Sequence, residues 1–81
     1  MTYALITGST SGIGAEYAHQ LAARGYGIVV VSNRREENLQ MADHLRSHYG
    51  VEALPIYADL TRPEAAREIY DYVHQLGIEV E

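Results

Sequence analysis

The apolar positions of this chain alternate between two periods, and the alternation lays out its elements. Tyr3-Ala4-Leu5-Ile6 is a continuous apolar run that passes through Thr7 into a cluster of Gly, Ser and Thr, as a buried strand entering a tight loop does. From Ser11 the apolar residues recur at Ile13, Tyr17, Ala18, Leu21 and Ala22 before Gly25, and this stripe predicts a helix reaching about Arg24. Ile28-Val29-Val30-Val31 is β-branched without polar alternation. That pattern predicts a parallel strand covered on both faces, ending near Ser32 or Asn33. Leu39, Ala42, Leu45 and Tyr49 mark a second helix, with Asn33 placed to cap its start and Gly50 to end it. Val51 to Ala58 is extended again, and Pro55, which has no N–H to donate, assigns this third strand to a sheet edge.

Thr61 and Glu64 form a capping-box pattern around Pro63, ahead of a stripe at Ala66, Ile69, Tyr70, Val73 and Leu76 that Gly77 closes. Ile78-Glu79-Val80 begins a fourth extended run. Strands alternating with helices through short loops mean parallel strands joined by right-handed crossovers, the α/β doubly wound class. The expected order is 3-2-1-4, which leaves strand 3 at the edge where Pro55 is tolerated. The 81 residues are thus expected to be the N-terminal half of a Rossmann-type sheet, cut at the start of strand 4. The outer edge of strand 1 is then incompletely paired, so self-association is expected.

Composition narrows the chemistry. Leu, Ile, Val and Phe make 19 of 81 residues, enough for a folded core. The longest apolar runs fall far short of the ~20 residues that span a bilayer, and the first basic residue is Arg24, so neither a membrane span nor a secretory signal is expected. A cytoplasmic location follows. The net charge of −5 and the lack of a basic stripe argue against nucleic acid as a partner. Without Cys there are no disulfides or thiolate nucleophiles. All six basic residues are arginines, so Schiff-base chemistry and a Walker A lysine are excluded. His44 and His48 stand four apart on helix 2, but the sequence places no third ligand beside them. A solvated helix face is expected there, and no metal.

Thr7-Gly8-Ser9-Thr10-Ser11-Gly12-Ile13-Gly14 joins a predicted strand to a predicted helix, the setting in which a glycine pattern binds a dinucleotide. Gly8 permits the tight turn, Gly12 lets backbone approach a pyrophosphate, and Gly14 lets the helix pack close to the sheet. The helix N-terminus offers free N–H groups and partial positive charge to the phosphates. Thr10 and Ser11 either reach ribose or phosphate through their hydroxyls or cap helix 1. At the end of strand 2, where an acidic residue would bond the ribose of NAD, stands neutral Asn33, followed by Arg34 and Arg35. A guanidinium can grip two oxygens of a 2′-phosphate, so NADP(H) is favoured, with NAD(H) possible. Asn33 as a helix cap is compatible with that contact.

Thr-Gly-x-x-x-Gly-Ile-Gly resembles the cofactor fingerprint of the short-chain dehydrogenases/reductases, Rossmann enzymes that move hydride between nicotinamide and a carbonyl or alcohol. The resemblance runs through Ala4-Leu5-Ile6-Thr7, Gln20-Leu21-Ala22-Ala23-Arg24-Gly25-Tyr26, Arg34-Arg35-Glu36-Glu37 and Asp59-Leu60-Thr61, so it covers the whole chain. It is strongest toward the NADP-dependent reductase branch called DltE-like. The resemblance implies that Asp59 bonds the adenine amino group and that Leu60 supplies contact beside it, and it counts Ile13 of the fingerprint among the cofactor-binding residues. Asp59 also reads as a plain loop aspartate ahead of helix 3. The family's catalytic Tyr-x-x-x-Lys pair cannot occur in a chain without lysine, so no catalytic residue is expected. The expected function is the dinucleotide-binding part of an oxidoreductase acting on a carbonyl or alcohol, with a free-standing nucleotide-binding or structural module as the alternative.

Overall fold

The computed structural model describes residues 2–8 and 12–77. Its elements are β1 (Tyr3–Thr7), α1 (Gly12–Ala23), β2 (Gly27–Ser32), α2 (Arg35–Tyr49), β3 (Ala53–Tyr57) and α3 (Ala65–Gln75). The three strands are parallel in the order β1-β2-β3, with Leu5 opposite Val29 and Val30 opposite Pro55. This is the 3-2-1 part of the predicted order; the expected fourth strand at Ile78, Glu79 and Val80 lies outside the described residues. β3 is an edge strand, as Pro55 required. Two backbone bonds frame its pairing with β2, Ile28 N–H to Glu52 O and Ala58 N–H to Ser32 O. Even-numbered residues of this segment therefore face β2, and the ring nitrogen of Pro55 faces the open side.

β2 is the centre of the core because its branched side chains are covered from both faces. Ile28 and Val30 pack under α1 and α2 with Ala18, Ala22, Ala42 and Leu45. Val29 and Val31 pack under α3 with Ile69 and Val73. All four strand residues are fully buried, each contributing about 1.5–3 kcal/mol relative to exposure. No helix among the described residues is long and apolar enough to cross a membrane.

Four local expectations change. The α1 stripe is rotated by one residue: Ile13 is 77% exposed and Tyr17 57%, while Ala18 and Ala22 are buried. Gly14, Ala18 and Ala22 fall on one row four apart, and small side chains there let the helix lie close to the sheet. In α2 the buried residues are Asn38, Ala42 and Leu45, and Leu39 is turned out. Asn33 does not cap α2; Arg34 holds the N-cap position without a side-chain bond, and its N–H donates to Ser32 Oγ. The Thr61–Glu64 capping box does not form. Thr61 donates to Asp59, Glu64 pairs with Arg62, and α3 starts later, at Ala65. Its inner row is consequently Ala65, Ile69 and Val73, with Ala66, Tyr70 and Leu76 exposed.

α2 is pinned to the sheet at both ends. Near its start, the Asn38 side-chain amide donates to Val30 O at 3.0 Å and Ile56 O at 3.2 Å, bridging β2 and β3 from a buried position. Near its end, Arg46 donates to Ala53 O at 2.6 Å while pairing with Asp43 at 2.9 Å. Gly50 then closes the helix with φ +69°, a conformation costly for other residues, and its N–H donates to Arg46 O.

Candidate functional site

The predicted site residues that the structure describes gather at the C-terminal ends of the strands, where parallel sheets bind ligands at a change of strand order. Gly8 leaves β1 at φ +65°, and its N–H donates to Val31 O at 2.9 Å. That bond fixes the start of the loop beside the end of β2. Ser32 O accepts from Ala58 N–H at 3.1 Å, so Asn33 and Asp59 leave neighbouring strand ends together. Thr10 and Ser11 lie outside the described residues.

Gly12 and Gly14 occupy opposite surroundings. A Cβ on Gly14 would overlap the carbonyl oxygen of Gly8 and lie 2.8 Å from the carbonyl carbon. No side chain fits between α1 and the turn. Among the described residues, a Cβ on Gly12 would meet nothing within 4 Å, so they leave that side of the helix start open. An open backbone face at the N-terminus of a 12-residue helix is what a pyrophosphate needs for close approach. Ile13, beside it, presents an exposed aliphatic side chain at the same end of the sheet, and Leu60 is 44% exposed in the loop after β3.

Asn33 is exposed and Arg34 reaches solvent, its guanidinium 3.2 Å from Glu37 with both side chains more than half exposed. An exposed pair of this kind is worth about 0–1 kcal/mol, so Arg34 can exchange Glu37 for a phosphate at little cost. The Arg35 guanidinium lies 4.6 Å from the centre of the Tyr57 ring, over its face. Asp59 Oδ1 accepts from Thr61 Oγ1 at 2.6 Å and Thr61 N–H at 3.0 Å, closing an Asx turn. Asp59 borders a cleft of about 370 Å³ on the α3 side of the sheet, lined also by Ala58, Arg62 and Tyr72.

Those bonds hold the Asp59 carboxyl below its ordinary value, the Thr61 hydroxyl contributing most and its N–H next, with Arg62 adding attraction. A depressed folded pKa means that the turn's stabilisation is present above the unfolded carboxylate range and is lost as pH falls through the folded value. Thr61→Val is expected to move the Asp59 titration upward toward the ordinary carboxylate range. Carboxyl carbon shifts followed against pH measure this; an unmoved midpoint would assign the depression to some other group.

Two residues that sequence patterns do not single out, Ser32 and Asn38, support the site. Ser32 is buried, and its hydroxyl and carbonyl organise both neighbouring loops. A signal for Asn38 exists, since Asn38, Ala42, Leu45 and Tyr49 keep helical spacing as well as the stripe starting at Leu39 does.

Residues 2–80 match the family described as short chain dehydrogenase. A very-long-chain 3-oxoacyl-CoA reductase of Anas platyrhynchos is 39% identical over 77 residues, 95% of this chain and 23% of that protein. Among solved structures, a short-chain dehydrogenase from Sphingobium yanoikuyae in complex with NADPH superposes with a TM-score of 0.82 at 37% identity, covering 90% of this chain and 29% of that one. The L-sorbose reductase from Gluconobacter frateurii complexed with NADPH and L-sorbose gives a TM-score of 0.85 at 32% identity, over 91% of this chain and 28% of that one. The chain thus spans between a fifth and a third of the length of these relatives. With a match that runs through the glycine loop, the end of β2 and the Asp59 turn, the chain belongs to the short-chain dehydrogenase family.

Proposed function

We propose that these residues form the cofactor-binding front of an NADP-dependent oxidoreductase that moves hydride between NADP(H) and a carbonyl or alcohol substrate. The observation that carries the reading is the contrast between the two glycines: Gly14 is closed against Gly8, whereas no described residue stands within 4 Å of a Cβ built on Gly12 at the helix start. In this reading the pyrophosphate lies against Gly8, Gly12 and the start of α1, and Thr10 and Ser11 are assigned to the cofactor by their place in the glycine loop. Ile13 and Leu60 give apolar contact, and Asp59 accepts from the adenine amino group. Asn33 and Arg34 hold the 2′-phosphate. When bound, the dinucleotide supplies the hydride; these residues orient it.

Chemistry at the carbonyl needs the family's Tyr-x-x-x-Lys pair, and a lysine-free sequence supplies none of it. The proposed contribution is therefore binding and cofactor choice. NADP-containing neighbours support the phosphate-binding assignment, and the lack of a carboxylate at position 33 gives its physical reason.

Binding of adenosine 2′,5′-bisphosphate and of 5′-AMP, compared by calorimetry, tests it. The bisphosphate is expected to bind more tightly, and Arg34→Ala to remove about one to two powers of ten of that preference, as loss of charge-assisted bonds worth about 1.5–3 kcal/mol implies. Preference retained in the variant would take Arg34 out of the site, and equal binding of both ligands by the unaltered chain would contradict NADP selectivity.

A further inference from the structure

We propose that Ser32 is a positioning residue for cofactor choice: its hydroxyl holds the backbone of Arg34 where the guanidinium can meet a 2′-phosphate. The proposal rests on the reading of Arg34 as a ligand of that phosphate. β2 runs through four branched apolar residues, Ile28 to Val31, and ends on a hydroxyl that is buried with its residue at 5% exposure. Burying a hydroxyl is costly unless it bonds. Ser32 Oγ accepts from Arg34 N–H at 3.0 Å, a partly buried bond across two residues that closes the chain around Asn33.

Arg34 is placed by its backbone rather than by its side chain. It occupies the N-cap position of α2 in an extended conformation, φ −104° and ψ 90°, without a side-chain bond to the helix. Its N–H donates to Ser32 Oγ, and its carbonyl accepts from Asn38 N–H at 2.9 Å in the first turn of α2. The guanidinium beyond meets Glu37, and both of those side chains are more than half exposed. Solvent weakens that pair, so the far end of the arm can exchange partners while the two backbone bonds set where the arm starts.

Ser32 also joins the two sides of the candidate site. Its carbonyl accepts from Ala58 N–H at 3.1 Å, one residue ahead of Asp59. Removing the hydroxyl leaves that tie between β2 and β3 in place and takes the partner from the Arg34 N–H. The adenine end of the ligand does not use the Arg34 arm, whereas the 2′-phosphate does. Loss of the hydroxyl therefore falls on discrimination between phosphorylated and unphosphorylated ribose.

Affinities of Ser32→Ala for adenosine 2′,5′-bisphosphate and 5′-AMP, measured by calorimetry beside those of the unaltered chain, test the assignment. The preference for the bisphosphate is expected to fall by about threefold to tenfold, the span of one neutral hydrogen bond. In an Arg34→Ala background the same substitution should lower it less, because the two residues act through one contact. Equal weakening of both ligands, an unchanged preference, or the same fall in both backgrounds would overturn the positioning role alone. Equal binding of the two ligands by the unaltered chain would overturn the NADP reading and this proposal with it. Amide exchange at Arg34 in the unaltered chain needs no variant and decides the matter should Ser32→Ala unfold. Protection that the bisphosphate increases is expected, and an Arg34 N–H exchanging at the rate of an unstructured chain would overturn the role given to Ser32.

Discussion

Gly14→Ala is expected to break the packing of α1 on β1, whereas Gly12→Val should leave the fold intact and abolish dinucleotide binding. The two positions lie two residues apart at the start of one helix, and their surroundings separate their roles. At Gly14 the added methyl meets the Gly8 carbonyl, which is backbone held in place by the Gly8 N–H bond to Val31. Overpacking against side chains costs about 1–3 kcal/mol because they can turn away; the backbone here cannot, so the cost should reach or exceed the upper end. At Gly12 no described residue stands within 4 Å of an added Cβ, and Val is no worse than Gly inside a helix. Its branched side chain would instead fill the space that the proposed pyrophosphate site requires. Urea unfolding followed by circular dichroism should show a lowered midpoint for Gly14→Ala and an unchanged or slightly raised one for Gly12→Val. Calorimetry with NADPH should show binding lost in the folded Gly12→Val chain. Normal binding there would remove the pyrophosphate from this helix start.

The elements are legible in the sequence because the two apolar periods are clean, and strand 3 is placed at the edge by one residue, Pro55. The rotation of the helices is harder to see. Tyr17 and Ile13 are larger and more apolar than Gly14 and Ala18, so a rule that counts hydrophobicity turns the wrong row inward. Closeness of approach decides the matter: α1 meets the carbonyl of Gly8, and only the small row fits. The capping expectations fail for a related reason. Thr61, Glu64 and Asn33 all have the right types, but Asp59, Arg62 and Ser32 make competing bonds whose partners a spacing rule does not weigh. The glycine loop, Asn33, Arg34 and Asp59 stand out because they follow strand ends in the order in which the family's cofactor pattern runs along the chain. Asn38 does not, because a polar residue inside a helix reads as surface until the two carbonyls it reaches are in view.

Asn38→Asp is expected to be the most damaging single-atom change in the chain, with a dependence on pH that a packing defect would not show. Asn38 is 2% exposed, and its amide nitrogen lies 3.0 Å from Val30 O and 3.2 Å from Ile56 O. Aspartate has the same shape but puts an oxygen where the nitrogen was. Ionised, it faces two carbonyl oxygens with no proton to offer; protonated, it can donate to one of them. Burial and these acceptors both favour the neutral acid, so the folded pKa of the introduced carboxyl must rise above the unfolded value of about 3.9. With a raised folded pKa, folding is least impaired below about pH 4, where both states are protonated. The loss grows as pH rises from there to the folded pKa and is constant above it. A rise of about three units, within the range for buried groups, corresponds to about 4 kcal/mol lost at pH 7. Asn38→Leu removes the same two hydrogen bonds without introducing a titrating group, and should cost about 1–3 kcal/mol at every pH. Urea midpoints for the two variants, each taken as a difference from the unaltered chain between pH 4 and pH 7.5, separate the cases. A flat difference for Asn38→Asp would mean that the side chain turns out to solvent, and the bridge between β2 and β3 would then be dispensable to the fold.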